Sequence, residues 1–384
     1  MWSLLSVTVG VFYFDAPREA EAQVTILYSF GSGQASDGVE PLGGLVQASD
    51  GSFYATTYAQ LGNFSAMFPS GTIYQFQPSS GELAFLKSFP NRSQREPQSP
   101  VLPCKGGLVG VTFATNRSAG ILFDLTASGT LEVWHQFEKG APSNDGGFPF
   151  APLLIGPKGF LYGVTESGGS DKSGTFYKVN PKNREVSIVH SFTYAGPSMP
   201  SGFLFGKDGN FYGIAVSKSS EAVIFMMTPA GAATTLYTFT GFPVNLTLMQ
   251  ASDGTFYGTT GGSASQYGTV FKMTGTPPNV TVTTLHVFGQ GQDGTDPRGP
   301  VGVGPNGNLY GETASGGTGK DGTIYELTTD GSSYTILHNF NDGSIPHDGS
   351  GPGGGLTLGF DKNFYGATGA GGQYNLGTVF KLSP

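Results

Sequence analysis

The sequence predicts an all-β protein, a seven-bladed β-propeller of four-stranded antiparallel blades. Three observations carry that prediction. A short segment recurs seven times at a period of about 52 residues. Each recurrence sits among four β-type runs, and the chain opens on the one kind of run that its last repeat lacks.

The recurring segment reads Ser252-Asp-Gly-Thr-Phe-Tyr-Gly-Thr-Thr260 in its clearest copy. Tyrosines 54, 162, 212, 257, 310 and 365 mark six copies, and Lys105-Gly-Gly-Leu-Val-Gly-Val-Thr112 is a degenerate seventh with Val109 at the tyrosine position. Four runs follow from each copy: an apolar piece such as Leu356-Thr-Leu358 (A), the Phe-Tyr-Gly run (B), a Gly-Thr-Val-Phe run (C) and a run ending in phenylalanine (D). All are short, rich in β-branched and aromatic residues, and bounded by Gly, Pro, Asn or Asp, as strands are. The Asp-Gly or Asn-Gly between A and B tolerates left-handed backbone, so A and B form a tight antiparallel hairpin. A β-helix needs a shorter period, and no stretch keeps a helical period. The D run Val24 to Phe30 comes first, while the chain ends just after the C run Gly377 to Leu382. Pairing the two closes the ring and removes both free edges. The expected organisation is a signal peptide over residues 1–22 and a single propeller domain over residues 23–384.

Composition bounds the function. Aromatic residues make up 13% of the chain, enough for a large core and too many for disorder. Charged residues are only 12% and the net charge is −8, so the basic patch that nucleic acid requires is missing. One cysteine, Cys104, excludes an intrachain disulfide and a structural zinc site. No apolar run reaches the roughly 20 residues of a membrane span. The apolar stretch Met1 to Phe14, followed by Ala20-Glu21-Ala22, has the pattern of a signal peptide cut before Gln23, although no Lys or Arg precedes it. Secretion or display at the cell surface is therefore expected, with the protein a monomer.

These units resemble the tandem GloVer repeat (Gloeobacter/Verrucomicrobia type) of exported bacterial proteins. The resemblance rests on Asp-Gly-x-Phe-Tyr-Gly-Thr-Thr, a glycine-rich stretch, Gly-Thr-Val-Phe-Lys and Leu-Tyr-x-Phe, and it covers essentially all of Gln23 to Pro384. It implies export and a propeller, and it transfers no catalytic residue. The chain departs from the pattern by ending at Lys-Leu-Ser-Pro384 without a sorting tail.

In this strand order the A–B and C–D turns lie on one face, and the longer D–A and B–C loops lie on the other, where binding residues concentrate. The D–A loops repeat an Asp-Gly element at Asp37, Asp145, Asp293 and Asp348. Glu312 is read as part of a B–C loop, and Arg298 is one of few nearby bases. This acidic rim is a candidate for Ca²⁺, the one cofactor considered, or for a polyhydroxylated ligand. The plainer reading is that Asp-Gly makes turns. Tyr58, Phe64, Phe68, Tyr267 and Tyr374 fall outside the strand pattern and are candidate sugar platforms. His135, His190, His286 and His338 each precede a D-run phenylalanine by two residues in separate repeats, so they cannot converge on one metal and no metal site is expected. No Gly-x-Ser-x-Gly elbow, phosphate loop or dinucleotide fingerprint is present.

The expected ligand set is Asp37, Asp293, Arg298, Glu312, Asp348, Tyr267 and Tyr374, centred on the last two blades and the first. The fourth blade, with its shortened B–C segment, should contribute least. The leading functional reading is a binding protein for a glycan or a partner protein. The alternatives are a polysaccharide lyase or glycoside hydrolase that uses carboxylate pairs with Arg298 on the same face, and a purely structural exported repeat. Catalysis is not the favoured reading, and no catalytic residue is assigned.

Overall fold

The computed structural model describes residues 22–384 apart from 32–37, 42, 61–70, 90–96, 98, 105, 114–118, 139–143, 218, 220, 241–245, 263–266 and 290–291. Asp37, Phe64 and Phe68 lie outside the described residues, as do residues 1–21 of the stretch expected to be a signal peptide. The described chain forms seven antiparallel sheets in a ring, each running A, B, C, D from the axis outward. Blade 6 is representative, with strands Gly302–Val303, Leu309–Thr313, Thr323–Leu327 and Tyr334–Asn339. The blade closing the ring pairs Gln23–Ser29 with Thr378–Ser383, from Gln23 opposite Ser383 to Ser29 opposite Thr378. The first D run is thus the outer strand of blade 7.

Each repeated residue type has a place at the seams between blades. In all seven blades the C–D register shifts once, as between Ile324 and Tyr325, an irregularity that increases local twist. Just beyond the D strand, its phenylalanine enters the seam and meets the C-strand aromatic of the following blade. Phe30 on Tyr74, Phe137 on Tyr177, Phe288 on Tyr325 and Phe340 on Phe380 all lie 5.3–5.4 Å apart, mostly edge to face. Edge-to-face rings at this spacing add about 0.5–1.5 kcal/mol beyond their buried area. On the opposite face the B-strand tyrosine packs on the next blade, as Tyr310 does on Phe364 at 4.8 Å and Tyr365 on Phe53 at 4.4 Å.

The Gly-Thr that starts strand C has a separate reason. Gly322 has φ +104°, and a Cβ there would collide with the Thr313 carbonyl and the ring of Pro352 from blade 7. The threonine beside it makes a second repeated contact. Thr313 and Thr323 hydroxyls lie 2.9 Å apart, with the Thr323 amide donating to Thr313 Oγ1, and the same pair recurs as Thr57–Thr72, Thr165–Thr175, Thr260–Thr269 and Thr368–Thr378. Blade 4 has Val216 and Ala222 at this end and lacks the pair.

Candidate functional site

The D–A loops do not present their aspartates to solvent. Asp145, Asp293 and Asp348 are buried, at 1%, 8% and 2% exposure. Each accepts from the Nε2 of the histidine on the preceding D strand: His135 at 2.5 Å, His286 at 3.0 Å and His338 at 2.8 Å. The other oxygen accepts a backbone N–H of the same loop, from Glu138, Gly289 and Asn341 respectively. The aspartate's own carbonyl is then held by the next blade, through Thr175 Oγ1 for Asp145, Tyr334 OH for Asp293 and Thr378 Oγ1 for Asp348. The glycine that follows sits on the threonine pair of that blade; a Cβ at Gly349 would collide with Thr368. The Asp-Gly element is therefore a staple across the seams between blades 2 and 3, 5 and 6, and 6 and 7. This corrects the acidic-rim reading, because carboxylates already bonded on both oxygens and buried cannot line an open rim.

Tyr267 and Tyr374 are exposed and lie against Gly289 and Gly31, the glycines that follow the D-strand phenylalanines. This sets them by the outer strands, and neither lines the cavity at the axis. Arg298 does line it. Its Nε donates to Asp296 Oδ2 at 2.7 Å, and its side chain is half exposed at the cavity mouth.

That cavity occupies about 820 Å³ on the loop-bearing face. Its wall is made by the residues that lead into the seven A strands, among them Gly43-Gly44, Pro100, Pro152, Pro300 and Gly353-Gly354. The residue after the first proline of these segments faces inward, which puts Phe150 and Arg298 at equivalent places. Tyr58 and Phe203 add further rings. Blade 4 supplies Ser201 to Phe203 and also Tyr212, Ile214 to Val216 and Ala222, the largest share of the lining, where the sequence suggested the smallest. Its altered strand A, Ser198–Phe205, breaks register against strand B between Ser198 and Gly202, and this irregular inner strand leaves strand B accessible from the axis. Among the described lining residues Arg298, paired with Asp296, is the one charged side chain, so the cavity wall presents a guanidinium and no carboxylate where the sequence suggested an acidic face.

Glu312 belongs to strand B of blade 6 and not to a loop. It is 1% exposed and faces blade 7, where its Oε1 accepts the Gly355 N–H at 2.6 Å. The equivalent residues are Thr56, Val111, Val164, Ile214, Thr259 and Ala367. Two of these, Thr56 and Thr259, also reach the next blade, donating to the Ser99 and Gly299 carbonyls. Among the described residues Glu312 Oε2 and the Tyr325 hydroxyl are both buried without a hydrogen-bond partner. Burial pushes the Glu312 carboxyl up to about 7, against the smaller opposing effect of the Gly355 N–H. No group of three or more His, Cys, Asp or Glu among the described residues is arranged to hold a metal ion, and no described helix is long and apolar enough to cross a membrane.

Fold and site together define a seven-bladed propeller with an axial cavity on its long-loop face. The chain belongs to the Gloeobacter/Verrucomicrobia repeat family, whose profile matches residues 63–260 and again 243–384. No curated protein sequence matches it. Among solved structures it is similar to virginiamycin B lyase from Staphylococcus aureus, with 14% identity, 95% of this chain and 99% of that one covered, and a TM-score of 0.57. It is also similar to a putative 6-phosphogluconolactonase from Bacteroides uniformis, with 16% identity, 79% and 86% coverage and a TM-score of 0.55. The Pseudomonas aeruginosa periplasmic gluconolactonase gives 18%, 79%, 86% and 0.54. At these identities the likeness is one of fold.

Proposed function

We propose that the protein is an exported binding propeller that takes a carboxylate-bearing glycan in its axial cavity. The observation that carries this reading is the cavity of about 820 Å³, walled by all seven blades and carrying Arg298 as its charged side chain. The volume lies within the roughly 300–1,000 Å³ of small-ligand sites. Tyr58, Phe150 and Phe203 offer flat rings for the faces of a sugar, while the guanidinium supplies paired donors for a carboxylate. The lyase or hydrolase alternative needs two accessible carboxylates. Asp293 and Asp348 are engaged by histidines and Glu312 lies behind the cavity wall, which favours binding over catalysis. Export rests on the sequence pattern before Gln23.

Calorimetric titration with oligogalacturonides and with neutral oligosaccharides of the same length tests the reading. The acidic ligands should bind at least tenfold more tightly, and Arg298→Ala should remove that preference. Equal binding of both classes, or an unchanged preference in the variant, would refute it.

A further inference from the structure

The wall between Glu312 and the cavity is a strap of three glycines. Gly353 and Gly354 line the cavity, and Gly355 gives its N–H to the Glu312 carboxyl. The stem of Arg298 runs along Gly353 on the cavity side, so the guanidinium and the buried carboxyl flank the same strap. The strap itself places no side chain between them, because its residues are glycines. A carboxylate bonded through one oxygen and buried in a protein seam is costly when ionised. Six of the seven blades avoid it with Thr, Val, Ile or Ala at this position. The departure falls in blade 6, whose own inner segment carries Arg298.

We propose that Glu312 is a proton-binding site linked to the axial cavity, so that an acidic ligand is taken up together with a proton from solvent. This rests on the reading of the cavity as an anion-accepting site. An ionised Glu312 places a negative charge within a strap's thickness of the bound carboxylate, in surroundings that screen poorly. A protonated Glu312 removes that repulsion and keeps its bond to Gly355. By reciprocity, the bound anion must favour protonation of Glu312 to the same degree that protonation favours the anion. Glu312 faces the glycine strap of blade 7, with Arg298 and its partner Asp296 on the strap's other side, while Tyr325 and Tyr334 of its own sheet pack away from it against blade 5. The facing segment of blade 7, Ser350 to Leu358, carries no titratable side chain. The carboxyl titrates near 7, within the range where uptake is measurable, while a uronic acid stays ionised throughout.

The test is calorimetric titration of an oligogalacturonide at pH 7 in two buffers of different ionisation enthalpy, repeated at pH 6 and pH 8. The wild type should take up about half a proton per ligand at pH 7 and bind about tenfold more weakly at pH 8 than at pH 6. Glu312→Gln, which keeps an acceptor for Gly355, should bind with the tight affinity at every pH and take up no proton. Ligand binding without proton uptake in the wild type, or an unchanged pH dependence in Glu312→Gln, would overturn the linkage and leave the cavity reading standing. No binding of any acidic glycan at pH 6 would overturn both.

Discussion

Replacing Glu312 by glutamine should stabilise the free protein in a strongly pH-dependent way. Burial raises this carboxyl from 4.5 to about 7 in the folded state. The sign follows from which form is bound more tightly on folding. A carboxyl whose folded pKa is raised contributes its full share below the unfolded value, and that share is lost as pH rises through the folded value. Wild type and Glu312→Gln should therefore be equally stable near pH 4.5. Their difference should then grow by about 1.4 kcal/mol per pH unit and level off above pH 7 at about 3 kcal/mol. That corresponds to about 4 °C in Tm for a domain of this length. Urea denaturation and calorimetric melts at half-unit intervals from pH 4.5 to 8.5 read the difference directly, since all other titrating groups are shared and cancel. A difference that stays flat across this range, or a wild type more stable than the variant at pH 8, would refute the assignment of Glu312 as a buried acid with one unpartnered oxygen.

Three further outcomes test the architecture. Deleting residues 23–31 should strip the outer strand from blade 7 and leave Thr378–Ser383 as a bare edge, giving aggregation visible by light scattering; a truncated chain as soluble and heat-stable as the parent would contradict ring closure. Asp348→Ala should cost about 3 kcal/mol in urea denaturation, because it leaves buried His338 and the Asn341 amide without their acceptor, whereas Asp342→Ala in the exposed part of the same loop should cost little. Gly349→Ala should lower Tm by several degrees, since φ is +108° and the new Cβ meets Thr368, while Gly343→Ala, equally left-handed but with open space around it, should lower it much less.

Several elements could be read from the amino acids because the fold imposes the same local demand seven times. The D-run phenylalanines, the B-strand tyrosines and the Gly-Thr starts of strand C recur at fixed spacing because each fills the same place at a seam. Ring closure followed from strand order alone. The staples were also written in the chain: His135, His286 and His338 each precede an Asp-Gly loop by seven to ten residues, while His190 is followed by a loop without one. That pairing was visible as spacing, yet spacing does not say whether an aspartate turns outward to a ligand or inward to a histidine. Only the packing of one blade on the next decides this, since it determines which loop backbone groups need an acceptor. The axial cavity has the same origin. Its wall is assembled from seven segments far apart in sequence, each contributing two or three residues, and the repeat pattern treats those residues as unremarkable glycines and prolines. Arg298 and Glu312 stand on two sides of one strap because blades 6 and 7 meet there, and the burial that shifts the Glu312 carboxyl exists only once that seam has closed.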